Sequence, residues 1–117
     1  MSPRRVPAIT HLQFLVLALL RAGPRLGRHV RRDLAAHGVR RSAPAFYQMM
    51  ARLEDAELVT GVYDQKIIDS QIIKERRYSL TTAGAAAWKA TRDFYVESSP
   101  DAAGIVARQR RKGPARA

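Results

Sequence analysis

Three segments in the first half of the chain carry apolar side chains at helical spacing. The first segment has an apolar stripe made of Leu12, Leu15, Val16, Leu19 and Leu20. Thr10 is suited to cap this helix, because Gln13 stands three residues later and completes a capping box. Gly23 and Pro24 are typical of a helix end. The pattern therefore predicts a helix over about residues 10–22.

Two further helices follow at short intervals. The second is predicted over residues 28–37, with Val30 and Leu34 facing inward and Gly38 closing it. The third is predicted over residues 43–56 and begins after Ser42, which is a good N-cap. Its buried stripe consists of Phe46, Met50 and Leu53, with Met49 at the edge.

The pattern changes to that of a β-hairpin after Leu58. The runs VTGVYDQKII and QIIKERRYSL are rich in β-branched and aromatic residues, and Asp69-Ser70 joins them. Thr81 then caps a fourth helix, predicted over residues 82–97. The predicted fold class is α+β, mainly α. Three helices, a two-stranded hairpin (the wing) and a C-terminal helix are the layout of a winged helix-turn-helix domain.

The two ends of the chain differ in composition from this central domain, which is predicted over residues 9–97. Residues 1–8 are predicted to form a flexible basic arm, and residues 98–117 a basic, disordered tail. Both ends are expected to contact phosphates without reading sequence. The basic residues concerned are Arg4, Arg5, Arg108, Arg110, Arg111, Lys112 and Arg116.

Charge is strongly positive and unevenly spread. The 21 Lys and Arg residues against 10 Asp and Glu residues give a formal net charge of +11, which indicates a polyanionic partner. Residues 1–52 contain ten Arg and one acid, Asp33. Without cysteine there is no sign of an oxidising compartment, so we expect a cytoplasmic, nucleoid-associated protein. The apolar run Leu12–Leu20 is too short to span a membrane, so no membrane partner is expected.

Three stretches of the sequence resemble motifs of the PadR-like family of transcriptional regulators, and the likeness covers about residues 9–97. The first is AFYQMMARLE at residues 45–54 followed by Leu58-Val59, and the second is YSLTTAG at residues 78–84. The third, residues 17–27, resembles the family's first helix and turn. Glu57 departs from the family, which usually has glycine before Leu-Val. The resemblance, which is to the short subfamily with one C-terminal helix, implies a homodimeric regulator of transcription, and a repressor in particular. It also implies sequence-specific binding to double-stranded DNA and response to a small hydrophobic or phenolic effector.

Candidate DNA-binding residues lie on the third helix, before it and on the hairpin. On the helix, Gln48 can pair with adenine, Arg52 with guanine or a phosphate, and the Tyr47 hydroxyl with a phosphate. The same residues are also compatible with a solvated or packing role, and the hairpin cations with a solvated hairpin. The complete candidate set is Arg40, Arg41, Ser42, Ala45, Tyr47, Gln48, Arg52, Lys66, Lys74, Arg76 and Arg77.

The fourth helix carries the candidate dimerisation residues. Trp88, Thr91 and Tyr95 share one face, and a small domain leaves part of such an aromatic surface uncovered. A partner helix in a homodimer is therefore predicted. The alternative is that these residues pack onto the first helix of the same chain.

No residue pattern indicates an enzyme, a metal site or a cofactor. The chain has no cysteine, no phosphate-binding glycine loop and no nucleophile–base pair, and His11, His29 and His37 lack the spacing of a metal site. Because a fold does not fix a function, a basic winged-helix adaptor that binds RNA or a protein is the alternative to a DNA-binding regulator. An acidic or apolar outer face on the third helix would favour that alternative.

Overall fold

A computed structural model describes residues 6–98. Within this range there are four helices, α1 (His11–Leu20), α2 (Gly27–Ala36), α3 (Ala43–Asp55) and α4 (Thr82–Glu97), and three strands, β1 (Arg25–Leu26), β2 (Val59–Ile68) and β3 (Gln71–Leu80). Residues 1–5 of the predicted arm and 99–117 of the predicted tail lie outside the described residues, including every arm and tail cation named above. The predicted α+β fold class, with three helices, a hairpin and a last helix, is confirmed.

The helices begin where the sequence places their caps. At α1, the Thr10 hydroxyl accepts a hydrogen bond from the backbone N–H of Gln13, and the Gln13 side chain accepts one from the N–H of Thr10. Thr81 caps α4 by accepting from the N–H of Gly84 at 2.9 Å. Such caps satisfy N–H groups that have no partner inside the helix, so they fix the helix start.

The α1 helix ends two residues before the predicted boundary, at Leu20. Gly23 adopts φ +133°, and its N–H donates to the carbonyl of Leu20, which closes the helix. Gly38 at φ +86° ends α2 in a similar way, and the N–H of Val39 donates to Leu34 as in a Schellman motif.

The three strands form one antiparallel sheet in the order β1-β3-β2. β2 and β3 pair along their whole length, from Val59 opposite Leu80 to Ile68 opposite Gln71. The Asp69-Ser70 turn has positive φ at both residues, 51° and 64°, as a tight two-residue hairpin requires. The short β1 strand pairs with β3 through Arg25 opposite Tyr78. β1 was not predicted from the sequence, because two residues carry no periodic signal.

One apolar core joins the helices to the base of the hairpin. Its fully buried members are Val16, Leu17, Leu20, Val30, Leu34, Phe46, Met50, Leu53, Val59 and Tyr78. The predicted stripes of α1, α2 and α3 all point into it. This packing holds α3 with one face against the core and the opposite face in solvent.

Candidate nucleic-acid interface

The solvent side of α3 is polar and open. Gln48 and Arg52 are exposed one helical turn apart, and Ala45 is exposed on the turn before Gln48. Ser42 caps the helix, since its hydroxyl accepts from the N–H of Ala45 at 3.3 Å. The helix therefore presents an amide, a guanidinium and a small side chain outward, with its N-terminal backbone N–H groups nearby.

Tyr47 leans sideways from α3 and does not point directly outward. Its ring lies against Gly27 at the start of α2, where a Cβ would be 2.8 Å from the Tyr47 Cε1 atom. It also makes an edge-on contact with Phe46 at a centroid distance of 5.0 Å. Tyr47 is 37% exposed, so it packs against Gly27 and Phe46 while part of the residue stays accessible to solvent.

Five arginines from α2 and the α2–α3 connection meet at the N-terminal end of α3. They line an open cleft of about 220 Å³, the arginine cleft, formed by Arg28, Arg31, Arg32, Ala35, Arg40 and Arg41. Arg31 Nε donates to the carbonyl oxygen of Arg41 at 3.0 Å, which ties α2 to the connection. Within residues 6–98, Arg31, Arg40 and Arg41 have no carboxylate partner.

The electrostatic field of this cluster acts on a neighbouring histidine. The pKa of His29 is lowered, first by burial and then by the positive charges of Arg28, Arg32 and Arg25. Acidic groups offset part of the charge, because Arg28 pairs with Glu75 at 2.6 Å and Arg25 pairs with Asp33. The unpaired guanidiniums next to the start of α3 suit a phosphate, since helix N-termini also attract anions.

The four candidate cations of the wing divide into two kinds. Lys66 and Lys74 are exposed, and neither has an ion pair with a described residue. Arg76 instead pairs with Glu54 of α3 at 2.5 Å, and Arg77 pairs with Asp64 at 2.7 Å. Arg76 and Arg77 thus carry internal ion pairs that reduce the positive charge they offer to a ligand.

A second cleft, the wing cleft, separates α3 from the wing. It has a volume of about 570 Å³ and is lined by Gly27, Arg28, Tyr47, Ala51, Glu54, Tyr63, Lys74, Glu75, Arg76 and Tyr78. Burial raises the pKa of Tyr78 to about 12. The Arg76 guanidinium lies over the Tyr63 ring at 4.6 Å. The wing is thereby attached to α3 by an ion pair beside a tyrosine-lined space.

The candidate dimerisation residues have different environments. Thr91 is 3% exposed, and its hydroxyl donates to the Ala87 carbonyl oxygen. Trp88 is half-buried and stacks on Phe14 of α1, with Arg21 3.6 Å from its ring centroid. These two residues fit the alternative of packing onto the first helix. Tyr95 is 52% exposed and, with His11, Phe14, Arg92 and Val96, lines an apolar groove of about 600 Å³ between α1 and α4.

Arg28, Arg31 and Arg32 are not among the candidate residues predicted from the sequence. Their spacing on one helical face, three and four residues apart, was the available signal. This spacing does not show that the α2–α3 connection brings Arg40 and Arg41 beside the arginines of α2.

Residues 6–98 contain neither a metal-ligand cluster nor a membrane-spanning helix. No group of three or more histidine, aspartate or glutamate side chains there could hold a metal ion. No helix in that range is long and apolar enough to cross a membrane.

Solved structures of PadR-type proteins are similar to this one over most of the chain. A PadR family transcriptional regulator from Eggerthella lenta is 28% identical, covers 82% of this chain and 80% of its own, and superposes with a TM-score of 0.63. A PadR-like transcriptional regulator from Bacillus cereus is 18% identical with a TM-score of 0.64, over 81% and 90% of the two chains. Bacillus subtilis PadR in complex with operator DNA is 19% identical with a TM-score of 0.58, over 78% of this chain and 50% of that one. No protein-family model and no curated protein matches the chain.

The element order, the wing and the exposed α3 place this protein in the winged helix-turn-helix class. Within that class its structure is similar to those of PadR-type regulators, as the resemblance of residues 45–54 and 78–84 predicts.

Proposed function

We propose that this protein is a sequence-specific double-stranded DNA-binding transcriptional regulator that acts as a homodimeric repressor in the cytoplasm. The observation that carries the proposal is the arginine cleft beside the N-terminus of α3. Three guanidiniums without carboxylate partners in the described chain lie in this cleft, before the helix that exposes Gln48 and Arg52. A phosphate on the cleft would position α3 so that these two side chains reach base edges.

The predicted contacts then divide by role. Gln48 and Arg52 read bases, with Ala45 small enough to let the groove come close. Arg31, Arg40 and Arg41 bind the backbone, and Lys66 and Lys74 add contacts from the wing. The solvent side of α3 is neither acidic nor continuously apolar, so it does not favour an adaptor that binds RNA or a protein. The PadR-type neighbours are regulators, one of them in complex with operator DNA, which supports a DNA-binding regulator over an enzyme.

The homodimer is proposed to form through the end of α4. Tyr95 and Val96 are exposed at 52% and 38%, and they line the apolar groove with Phe14 of α1. Covering this groove with a second copy would remove apolar surface from water. A two-fold dimer requires an operator whose half-sites lie about one helical turn apart. A small hydrophobic effector remains a proposal drawn from the family resemblance alone.

Selection from a random duplex pool followed by fluorescence anisotropy tests DNA binding. The selected duplex is compared with a scrambled duplex and with RNA over a salt series. We expect preference for the selected duplex, with affinity that falls steeply as salt rises. Equal binding to all three nucleic acids would contradict a sequence-specific regulator.

A matched pair of variants locates the interface. Arg40→Ala should weaken binding several-fold and reduce the salt slope by about one. Lys89→Ala removes one exposed cation from α4, far along the chain from the arginine cleft, and should leave binding nearly unchanged. An equal loss in both variants would mean that net charge, and not this cleft, drives binding. Repression is tested separately, with a reporter placed behind the selected duplex.

A further inference from the structure

The outer half of the wing carries an apolar surface. Ile67, Ile68 and Ile72 are 78%, 50% and 67% exposed, and they flank the Asp69-Ser70 turn. Isoleucine is among the residues most often buried in proteins, so three exposed copies at one end of a hairpin require a function or a partner.

The strand register separates these isoleucines into two faces. Ile67 lies directly opposite Ile72, and paired residues of an antiparallel ladder point to the same side. Counting by twos along β3, this is also the side of Lys74, Arg76 and Tyr78, which line the wing cleft with α3. The Ile67–Ile72 pair therefore projects on the side that faces α3, whereas Ile68 and Ile73 project on the other side.

The position of the pair is fixed relative to α3. Arg76 holds the wing to Glu54, and Ile72 lies on β3 four residues nearer the hairpin turn. At about 3.3 Å per residue, the isoleucine pair stands about 13 Å beyond that ion pair. An object that lies along α3 and extends about this distance toward the hairpin turn would contact the pair.

The charges around the pair indicate a polyanion as this object. Lys74 is on the same face as Ile72, and Lys66 precedes Ile67 on the opposite face, and both lysines are exposed. The outer half of the wing therefore has an apolar pair with a lysine on each face, and Asp69 in the turn leaves residues 66–74 with a net charge of +1. A DNA minor groove matches this arrangement, because its walls are phosphates and its floor accepts apolar side chains that wedge between base steps.

We propose that the Ile67–Ile72 pair is a minor-groove wedge that unstacks a base step beside the site read by α3. This inference rests on the proposed DNA binding and adds how the wing engages the duplex. The wedge would favour flexible pyrimidine–purine steps at that place, and so would add specificity at bases that α3 does not touch.

The test uses the full-length protein and the duplex that it selects. In this duplex, 2-aminopurine replaces, one at a time, the adenines that flank the selected sequence. Wild type should raise the fluorescence at one flanking step, because unstacking relieves quenching. Ile67→Ser/Ile72→Ser should abolish that rise and weaken binding about tenfold, while the salt slope stays unchanged. Ile68→Ser/Ile73→Ser changes the same residue types on the other face and should keep the fluorescence rise.

The possible results distinguish failure of the wedge from failure of the proposed DNA-binding function. If wild type selects no duplex, the proposed function fails. If it selects one but no flanking 2-aminopurine responds, or if both double variants respond like wild type, the wedge is wrong and the DNA-binding function stands. A change of oligomeric state by sedimentation in Ile67→Ser/Ile72→Ser alone would assign the pair to a protein contact and overturn the wedge. Because Ile67 and Ile72 are exposed, circular dichroism should show an unchanged fold for that variant.

Discussion

Arg76 on the wing donates two hydrogen bonds to the carboxylate of Glu54 on α3, from Nη2 at 2.5 Å and from Nε at 3.4 Å. The hydrogen bond to Glu54 raises the pKa of Arg76, although burial acts in the opposite direction. Gly61 lies beneath the pair, where a Cβ would overlap Glu54 Oε1. The two elements proposed to contact DNA are thus joined by one side-chain contact that depends on a glycine.

A double-mutant cycle with Glu54→Ala and Arg76→Ala measures this contact. We expect a coupling free energy of about 1 kcal/mol from urea unfolding, reduced from the value for a buried pair because each side chain is about a quarter exposed. The Lys89–Asp93 pair is the control, since Lys89 is 67% exposed. Its coupling should be smaller, because both side chains are more exposed to water. Equal coupling in the two cycles would contradict a special role for the wing contact.

Gly84 on α4 provides a second prediction, because it lies directly against the backbone of Leu58. A Cβ at Gly84 would overlap the Leu58 carbonyl oxygen, which also accepts hydrogen bonds from the N–H and hydroxyl of Thr81. Gly84→Ala should therefore lower the free energy of unfolding by about 2–3 kcal/mol. On helix propensity alone the same change would stabilise α4 by about 1 kcal/mol.

The exposed Ala86 on the same helix is the control for Gly84. Ala86→Gly should cost about 1 kcal/mol, as propensity predicts. A Gly84→Ala variant as stable as wild type in thermal and urea unfolding would show that α4 can move away from Leu58.

Glu57 carries a backbone conformation that favours glycine, with φ 61°. The sequence departs from the family at this residue, and the structure retains the left-handed turn, so Glu57 is strained. Glu57→Gly should raise the free energy of unfolding by about 1 kcal/mol. Asp55→Gly, in the last turn of α3, should lower it by up to about 1 kcal/mol. Stabilisation by both changes, or by neither, would contradict the assignment of strain to Glu57.

Tyr78 should make folding sensitive to high pH. Burial raises the pKa of its hydroxyl to about 12, above the usual value of 10.0, so the folded protein keeps a proton that the unfolded chain has lost in this interval. The contribution of this difference in pKa to the free energy of unfolding is fully present below pH 10 and is lost as pH rises to about 12. At about 1.4 kcal/mol per pKa unit, it amounts to about 2–3 kcal/mol. Tyr78→Phe should flatten the fall in unfolding free energy between pH 10 and 12, whereas Tyr63→Phe, at an exposed residue, should retain it.

The proposed dimer predicts an effect of charge on the end of α4. Tyr95→Asp should convert the protein to a monomer at micromolar concentration in sedimentation, because a carboxylate would have to lose water in an apolar groove. Ala86→Asp adds the same charge nine residues earlier, on the opposite side of the helix, and should leave the dimer intact. A wild-type monomer under these conditions would count against the dimer itself.

The sequence was most informative where neighbouring residues determine structure. Thr10 with Gln13, Ser42 and Thr81 start their helices as predicted, because a cap needs only a backbone N–H two or three residues away. The Asp69-Ser70 turn and the equal lengths of β2 and β3 were likewise predicted from pattern and turn chemistry. The PadR-like motifs support the fold that the element order predicts, because they lie in α3, just after it and at the end of the wing.

Only the tertiary structure decided which charges and apolar groups meet across the chain. The sequence treats Arg76 and Lys74 alike as wing cations, yet Arg76 is paired with Glu54, 22 residues away, while Lys74 is exposed. Packing likewise brings Arg31 to Arg41, places Trp88 on Phe14 and leaves Tyr95 uncovered. Local pattern fixes helices and turns because their hydrogen bonds span a few residues, whereas ion pairs and surface exposure depend on contacts that close only when distant segments pack together.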